Sequence, residues 1–182
     1  MPFCISEVRH REFPNAGAVS SALTSVGSSL ESVLDAFRGY ICPVSPTAGR
    51  GFHEDLARDL EHYLERVLKG DALRPSRSTN DLTYSRALNR HADFALVHDP
   101  TRTRVLFEVV FRPNFEEDLV GFQIGANEGT LATGIMVVPI DRRTINEAHT
   151  TMAEYEGVTK VIEALRPSYP LLLIGLRGSH AA

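Results

Sequence analysis

The fold is decided by one stretch of sequence: Arg90-His91-Ala92-Asp93-Phe94-Ala95-Leu96-Val97-His98, the turn Asp99-Pro100-Thr101, and then Val105-Leu106-Phe107-Glu108-Val109-Val110-Phe111. Two runs rich in β-branched and aromatic residues flank an Asp-Pro turn, which predicts a β-hairpin. In the second run, period-two alternation places one apolar set on a single face: Val105, Phe107, Val109 and Phe111. That face must be packed against another part of the chain.

The opposite face of the second run carries a carboxylate, Glu108, between the apolar Leu106 and Val110. A buried charge without a partner is costly. The nearest candidate is Asp93 on the adjacent strand, and two carboxylates brought together by a hairpin repel each other unless a cation lies between them. Oxygen-rich sites of this kind suit Mg²⁺. The simpler alternative is a solvated or salt-bridged Glu108, because sheet faces often contact water.

A length of 182 residues predicts one domain, residues 1–182, with a helical N-terminal part of about 1–70 and a core of about 89–177. The sequence shows neither a signal-peptide pattern nor an apolar run long enough to span a bilayer. We therefore expect a soluble cytoplasmic protein without a membrane partner. Cys4 and Cys42 lack CxxC spacing, so neither a zinc site nor a disulfide is expected.

The formal net charge of −4 argues against a protein that coats nucleic acid non-specifically, because such binding depends on cationic neutralisation of phosphates. A local basic surface is still compatible with that charge. Lys69 and Lys160 are the only lysines, so arginine dominates the basic residues. Arginine suits bidentate contacts to phosphates and guanine edges, although a GC-rich coding bias gives the same excess.

Two amphipathic helices are predicted before the hairpin, over Ala18–Phe37 and about Phe52–Lys69, the second ending at Gly70. Core packing is the simpler role for the serine-rich first helix, and a subunit contact is the alternative. A short strand near Phe3–Val8 and an irregular connection over Gly39–Arg50 complete this part of the chain.

The segment Asp71–Arg90 is polar and shows no regular periodicity, so we predict a long irregular loop. Arginine with Ser, Thr and Asn is the donor set that contacts phosphates and base edges. Loops of this length are usually functional, which favours a DNA-facing segment over a flexible surface loop. The candidate DNA-binding residues are Arg74, Arg77, Asn80, Arg86 and Arg90.

After the hairpin, the patterns predict a helix over 114–127, a buried strand over 133–139, a helix over 144–165, a strand over 170–176 and a frayed tail over 178–182. Helices followed by a hairpin and then helix-strand-helix-strand indicate an α/β fold, with a mixed central β-sheet flanked by helices.

The segment from Asn89 to Pro139 has an acid, a turn and a Glu-x-x arrangement, followed by Phe115-Glu116-Glu117-Asp118-Leu119-Val120-Gly121-Phe122-Gln123. With a fainter echo in Tyr169–Gly175, it resembles the BglII/BamHI-like type II restriction endonucleases of the PD-(D/E)XK nuclease superfamily. The resemblance implies a restriction-endonuclease-like fold in an intracellular, prokaryotic-type protein. It also implies Mg²⁺-dependent hydrolysis of double-stranded DNA at a specific sequence, by a homodimer if that sequence is palindromic.

The resemblance also implies roles for individual residues. Asp93 matches the first motif acid and Glu108 the second, both catalytic and both metal ligands, and the backbone carbonyl of Val109 matches the position that commonly completes the coordination. In the resembled superfamily, the helix before these strands often contributes a further acid, which here would be Glu61 or Glu65. The alternative for these two residues is a solvated helix face.

The third motif position departs from the pattern, because it is Lys in most of the superfamily, Glu or Gln in this branch, and Val110 here. Arg112 follows on the same face, where a guanidinium can stabilise charge in a catalytic role but makes a poor base. Three explanations are open: the metal and its water suffice, Glu61 or Glu65 substitutes, or the protein binds DNA without cutting it. Beside a nuclease, the alternatives are a catalytically degenerate DNA-binding or assembly module and an unrelated interaction domain.

Overall fold

The computed structural model describes residues 3–42, 52–68, 72–76, 78–85, 90–110, 114–140 and 153–180. The helices in these ranges are α1 (Ala18–Ser25), α2 (Leu30–Arg38), α3 (Phe52–Val67), α4 (Thr79–Leu82), α5 (Glu116–Asn127) and α6 (Tyr155–Leu165). The strands are β1 (Phe3–Phe13), β2 (Ile41–Cys42), β3 (Arg74–Ser76), β4 (Thr83–Ser85), β5 (Arg90–His91), β6 (Phe94–His98), β7 (Thr103–Val109), β8 (Leu131–Pro139) and β9 (Leu171–His180).

Seven of the described strands form one sheet in the order β2-β1-β9-β8-β7-β6-β3. Strands β7, β8 and β9 run parallel, and the other neighbours in this sheet are antiparallel. Strands β4 and β5 form a separate two-stranded ribbon. The predicted mixed central sheet flanked by helices is confirmed.

The predicted hairpin is formed by β6 and β7, which pair from Phe94↔Phe107 to His98↔Thr103. The first run is shorter than predicted, because Arg90 and His91 form β5 and pair with β4 instead. The chain then bends at Asp93 before β6 begins. That break sets Asp93 apart from the regular ladder.

The sheet separates two apolar cores. On one face, Val105, Phe107 and Val109 of β7 pack with residues of α1, α2 and α3, as the alternation predicted. On the other face, Leu106 and Val110 pack with residues of α5 and α6. Both faces of β7 are therefore buried, and Glu108 belongs to the second one.

The single helix predicted over residues 18–37 is wrong, because the structure has two helices there. Gly27 adopts φ 73°, a left-handed conformation that favours glycine and ends the first helix. Ser29 then begins α2 as its N-cap, and its hydroxyl accepts a hydrogen bond from Ser32 N at 3.1 Å. Gly27 and Ser29, which belong to the serine-rich stretch, thus form the boundary between α1 and α2.

Two further predictions need correction. The polar segment 71–90 is not one irregular loop, because its described residues include β3, α4, β4 and the start of β5. The expected frayed tail is instead part of β9, which pairs with β1 as far as Phe3↔His180. Long-range pairing orders both segments, although neither shows clear periodicity.

The other predicted elements agree with the structure where it describes them, except that Ile41–Cys42, in the predicted irregular connection, forms β2. The elements that agree are the strand near Phe3–Val8 (β1), the helix over about 52–69 (α3), the helix over 114–127 (α5), and the strands over 133–139 (β8) and 170–176 (β9). Residues 141–152 lie outside the described residues, so the predicted helix over 144–165 is seen only as α6. In the described part of the chain, no helix has the length and apolar character needed to cross a membrane.

Candidate active site

Asp93 lies beside Glu108 at the carboxyl end of β7. The β6–β7 ladder ends at Phe94↔Phe107, and beyond it Asp93 N donates to Phe107 O at 3.1 Å, which places Asp93 next to the residue that precedes Glu108. The hairpin therefore brings together the two acids that the sequence singled out.

The Asp93 carboxylate is fixed to the backbone of β7. Its Oδ2 accepts a hydrogen bond from Val109 N at 2.7 Å, and the side chain is partly buried. In an extended strand, the N–H and C=O of one residue point to the same side. The carbonyl of Val109 therefore projects toward the side where Asp93 lies, as a joint ligand set requires.

Glu108 is 6% exposed and accepts a hydrogen bond at Oε1 from the hydroxyl of Tyr84. Burial raises the pKa of Glu108 well above its usual range, and the negative charge of Asp118 raises it further. An isolated carboxylate in this position is costly to ionise. A cation in the site would offset that cost.

The first turn of α5 adds negative charge to this neighbourhood. Asp118 is 14% exposed at its side chain, and its Oδ1 lies 3.5 Å from Arg90 Nη2. Arg90 also forms an ion pair with Glu117. The Arg90 guanidinium thus contacts both Glu117 and Asp118, and it partly balances the negative charge of these two α5 acids.

The donor set fits Mg²⁺. In the described residues, no group of three or more His, Cys, Asp or Glu side chains could hold a metal ion by itself. Mg²⁺ is commonly held by one or two carboxylates and keeps several waters. Asp93, Glu108 and the Val109 carbonyl supply that number of oxygens, and Asp118 adds to the local negative charge.

The other predicted site residues occupy different surroundings. Glu61 is buried and Glu65 is exposed, both on α3, whose apolar side packs on the first core. Val110 is buried in the second core, where it offers no polar group. Arg112 lies outside the described residues.

The candidate DNA contacts are dispersed. Arg74 Nε and Nη2 donate to the two carboxylate oxygens of Asp99 at 2.6 and 2.8 Å, which ties β3 to the hairpin turn. Arg74 pairs with Val97, which is four residues, or about 13 Å, along the strand from Asp93. Asn80 is exposed on α4. Arg77 and Arg86 lie outside the described residues.

Three residues of this region were missed by the reasoning from sequence. Tyr84 reaches Glu108, Asp118 acts on the pKa of Glu108, and Arg104 binds the segment that carries Tyr84. Asp118 does not stand out in the sequence, because acids are common in the first turn of a helix, where they complement the helix dipole. The one available signal for Tyr84 was an aromatic residue with a hydroxyl in an otherwise polar segment.

The described chain is therefore a mixed sheet flanked by helices, with Asp93 and Glu108 near the carboxyl end of the central strand β7. The structure is similar to a crystal structure of restriction endonuclease BglII in complex with a 16-mer DNA. The TM-score is 0.51 at 14% sequence identity, and the match covers 97% of this chain and 80% of that one. This similarity shows the fold.

The chain belongs to the restriction endonuclease BglII/BglIII family, whose sequence profile matches residues 9–176. The match includes both Asp93 and Glu108, the hairpin that joins them, and the parallel strands β8 and most of β9. A comparison with curated protein sequences gives no significant match.

Proposed function

We propose that this protein is a Mg²⁺-dependent endonuclease that hydrolyses phosphodiester bonds of double-stranded DNA at a specific sequence. The observation that carries the proposal is the placement of Asp93 beside Glu108: Asp93 N donates to Phe107 O, and the Asp93 carboxylate accepts a hydrogen bond from Val109 N. Membership of the family supports the same class of reaction. The Mg²⁺ dependence rests on the oxygen donors and their charge.

The residues of the pair have distinct tasks in this proposal. Asp93 and Glu108 hold the metal with the Val109 carbonyl, and the hydrogen bond from Val109 N keeps the Asp93 carboxylate facing the site. Mg²⁺ bound there would polarise the scissile phosphate and activate water for in-line attack. Arg112, four residues after Glu108 in the sequence, is the candidate cation that would stabilise the developing negative charge. Glu61 and Glu65 are the candidates for an additional acid.

Digestion of plasmid DNA with and without Mg²⁺ tests this function. We expect Mg²⁺-dependent cleavage with defined fragment ends, and its loss in Asp93→Asn and Glu108→Gln. Asp99→Asn is the matched control, because Asp99 is an exposed acid at the opposite end of the same hairpin. Equal cleavage by Asp93→Asn and the wild type would exclude the proposed site.

A second candidate function is DNA binding without cleavage, as a recognition or assembly module on the same fold. Val110 favours this alternative, because its side chain is packed in the second core and cannot orient a water molecule or accept a proton. Salt-dependent binding of duplex DNA, with intact DNA after incubation with Mg²⁺, is the result that this function predicts.

We also propose that the protein acts on a palindromic sequence as a homodimer with one site per subunit. Two-fold symmetry in the DNA is matched most simply by a two-fold protein. Sedimentation of the protein with a cognate duplex should give two chains per duplex. One chain per duplex, with cleavage of only one strand, would contradict this arrangement.

A further inference from the structure

Tyr84 is a buried side chain whose hydroxyl points at the candidate metal ligand Glu108. It is 0% exposed, and its hydroxyl donates to Glu108 Oε1. A Glu108 side chain held at Oε1 keeps its second oxygen, Oε2, available for another partner. The contact therefore fixes the orientation of the carboxylate as well as satisfying part of its hydrogen-bonding capacity.

The Tyr84 ring is held by close packing against α5. A Cβ atom added at Gly121 would lie 2.5 Å from the Tyr84 ring carbons, so the ring occupies the space that only glycine leaves open. Phe122 contacts the ring edge-on, with centroids 5.5 Å apart and an interplanar angle of 86°. The hydroxyl consequently has little freedom to leave Glu108.

Arg104 fixes the backbone that leads into Tyr84. Its Nη1 donates to the carbonyls of Asp81 at 2.8 Å and Thr83 at 2.7 Å, and its Nη2 donates to Thr130 Oγ1 at 2.8 Å. The buried guanidinium thereby ties the segment before Tyr84 to the start of β8. Tyr84 is therefore held both through its ring and through its backbone.

The same segment reaches the other acid of the pair. Ala92 N donates to Leu82 O at 2.9 Å, and Thr83 pairs with His91 across the β4–β5 ribbon. Ala92 immediately precedes Asp93. The segment that carries Tyr84 thus contacts Glu108 directly and also contacts the residue immediately before Asp93.

We propose that Tyr84 is a positioning residue that holds Oε1 of Glu108 so that Oε2 faces the metal. The proposal rests on the proposed nuclease function and adds a residue that acts on the metal ligand without touching the metal. Hydrogen-bond partners of metal ligands commonly change metal affinity by about 10–100-fold when removed.

Tyr84→Phe tests the proposal, with Tyr169→Phe as a matched control. Tyr169 is 3% exposed, belongs to the same core, contacts Phe122 at 6.2 Å between ring centroids, and donates its hydroxyl to Leu119 O at 2.9 Å. Each variant keeps its ring and loses one buried hydrogen bond. The two therefore differ in the partner of the lost bond.

The metal requirement should separate the two variants. We expect the Mg²⁺ concentration for half-maximal cleavage to rise by about tenfold or more in Tyr84→Phe and to stay unchanged in Tyr169→Phe. The same shift should occur without DNA or turnover, in the midpoint of Mg²⁺ binding obtained by fitting Tm against the Mg²⁺ concentration. A Tyr84→Phe variant with wild-type midpoints in both measurements would overturn the proposal, as would an equal shift in Tyr169→Phe.

A measurement without metal or DNA tests the contact itself. In a double-mutant cycle, the effects of Tyr84→Phe and Glu108→Leu on the free energy of unfolding should not add, because each removes one partner of the same hydrogen bond. Additive effects would overturn the proposed contact. A wild type that neither cleaves DNA with Mg²⁺ nor shows a metal-induced rise in Tm would instead remove the nuclease function, and this role of Tyr84 with it.

Discussion

At the scale of single residues, the site depends on a carboxylate that the fold buries. Glu108 faces Tyr84 from β4 and Asp118 from α5. The hydroxyl of Tyr84 donates to its carboxylate, whereas the negative charge of Asp118 repels its ionised form. Burial and repulsion together raise the pKa of Glu108, so the metal-free site favours its protonated form.

This raised pKa predicts a dependence of stability on pH in the absence of metal. The folded chain holds the Glu108 proton more tightly than the unfolded chain does, since the folded-state pKa is the higher one. As the pH rises from the usual glutamate range toward the raised pKa, the unfolded chain loses its proton first, and the free energy of unfolding falls. Urea unfolding in EDTA at a series of pH values measures this effect.

Glu108→Gln should abolish that component, so its stability relative to the wild type should increase as the pH rises through the window. Glu31→Gln is the control, because Glu31 is exposed on α2, which packs on the other face of the sheet, and its replacement should leave the component from Glu108 in place. Parallel pH profiles for the wild type and Glu108→Gln would contradict a raised pKa at this position.

At the scale of elements, local patterns predicted the type of most helices and strands, but they gave little information about where each element begins and ends. Period-two alternation in β7 and the apolar run of β8 are properties of the strands themselves, so the sequence displays them. The short strands β3 and β4 are ordered by their partners, and no local periodicity marks them. The same holds for Tyr84, whose role comes from a contact with a residue 24 positions away.

The boundary between α1 and α2 predicts a specific cost of substitution. Gly27→Ala should destabilise the fold for two reasons: φ is 73°, and an added Cβ would lie 2.7 Å from the Cβ of Ala72. Gly17→Ala is the matched control, because φ is 88° there and the added Cβ would meet nothing within 4 Å. Gly17→Ala should cost about 1–2 kcal/mol from backbone strain alone.

Gly27→Ala should cost about 1–3 kcal/mol more than the control, from overpacking against Ala72. Equilibrium unfolding in urea measures both variants. Equal losses would show that the neighbour moves away without cost and that backbone conformation alone requires glycine at this boundary.

At the scale of the whole molecule, the order of the strands positions the site. Strands β7, β8 and β9 run parallel, so their carboxyl ends meet at one edge of the sheet, and the acid pair lies there. Pairing between β1 and β9 joins opposite ends of the chain, and no local pattern of the sequence predicts it. The class of fold was therefore predictable from the series of elements, whereas the neighbours in the sheet were not.

Charge predicts how the whole molecule should meet DNA. The chain carries a formal net charge of −4, and at a pH above the raised pKa of Glu108 the carboxylates of Asp93, Glu108 and Asp118 concentrate negative charge where the proposed function would place a phosphate. A divalent cation should therefore strengthen DNA binding by offsetting this repulsion. We expect the Kd for a cognate duplex, measured by fluorescence anisotropy, to be lower with Ca²⁺ than with EDTA by about tenfold or more, since each nearby unit charge contributes about 1 kcal/mol in water.

The double variant Asp93→Asn/Glu108→Gln should bind in EDTA about as tightly as the wild type does with Ca²⁺, because the repelling charges are gone. Asp99→Asn should retain the wild-type dependence of DNA binding on the cation. A double variant that still binds weakly in EDTA would show that the acid pair is not the source of the repulsion of DNA.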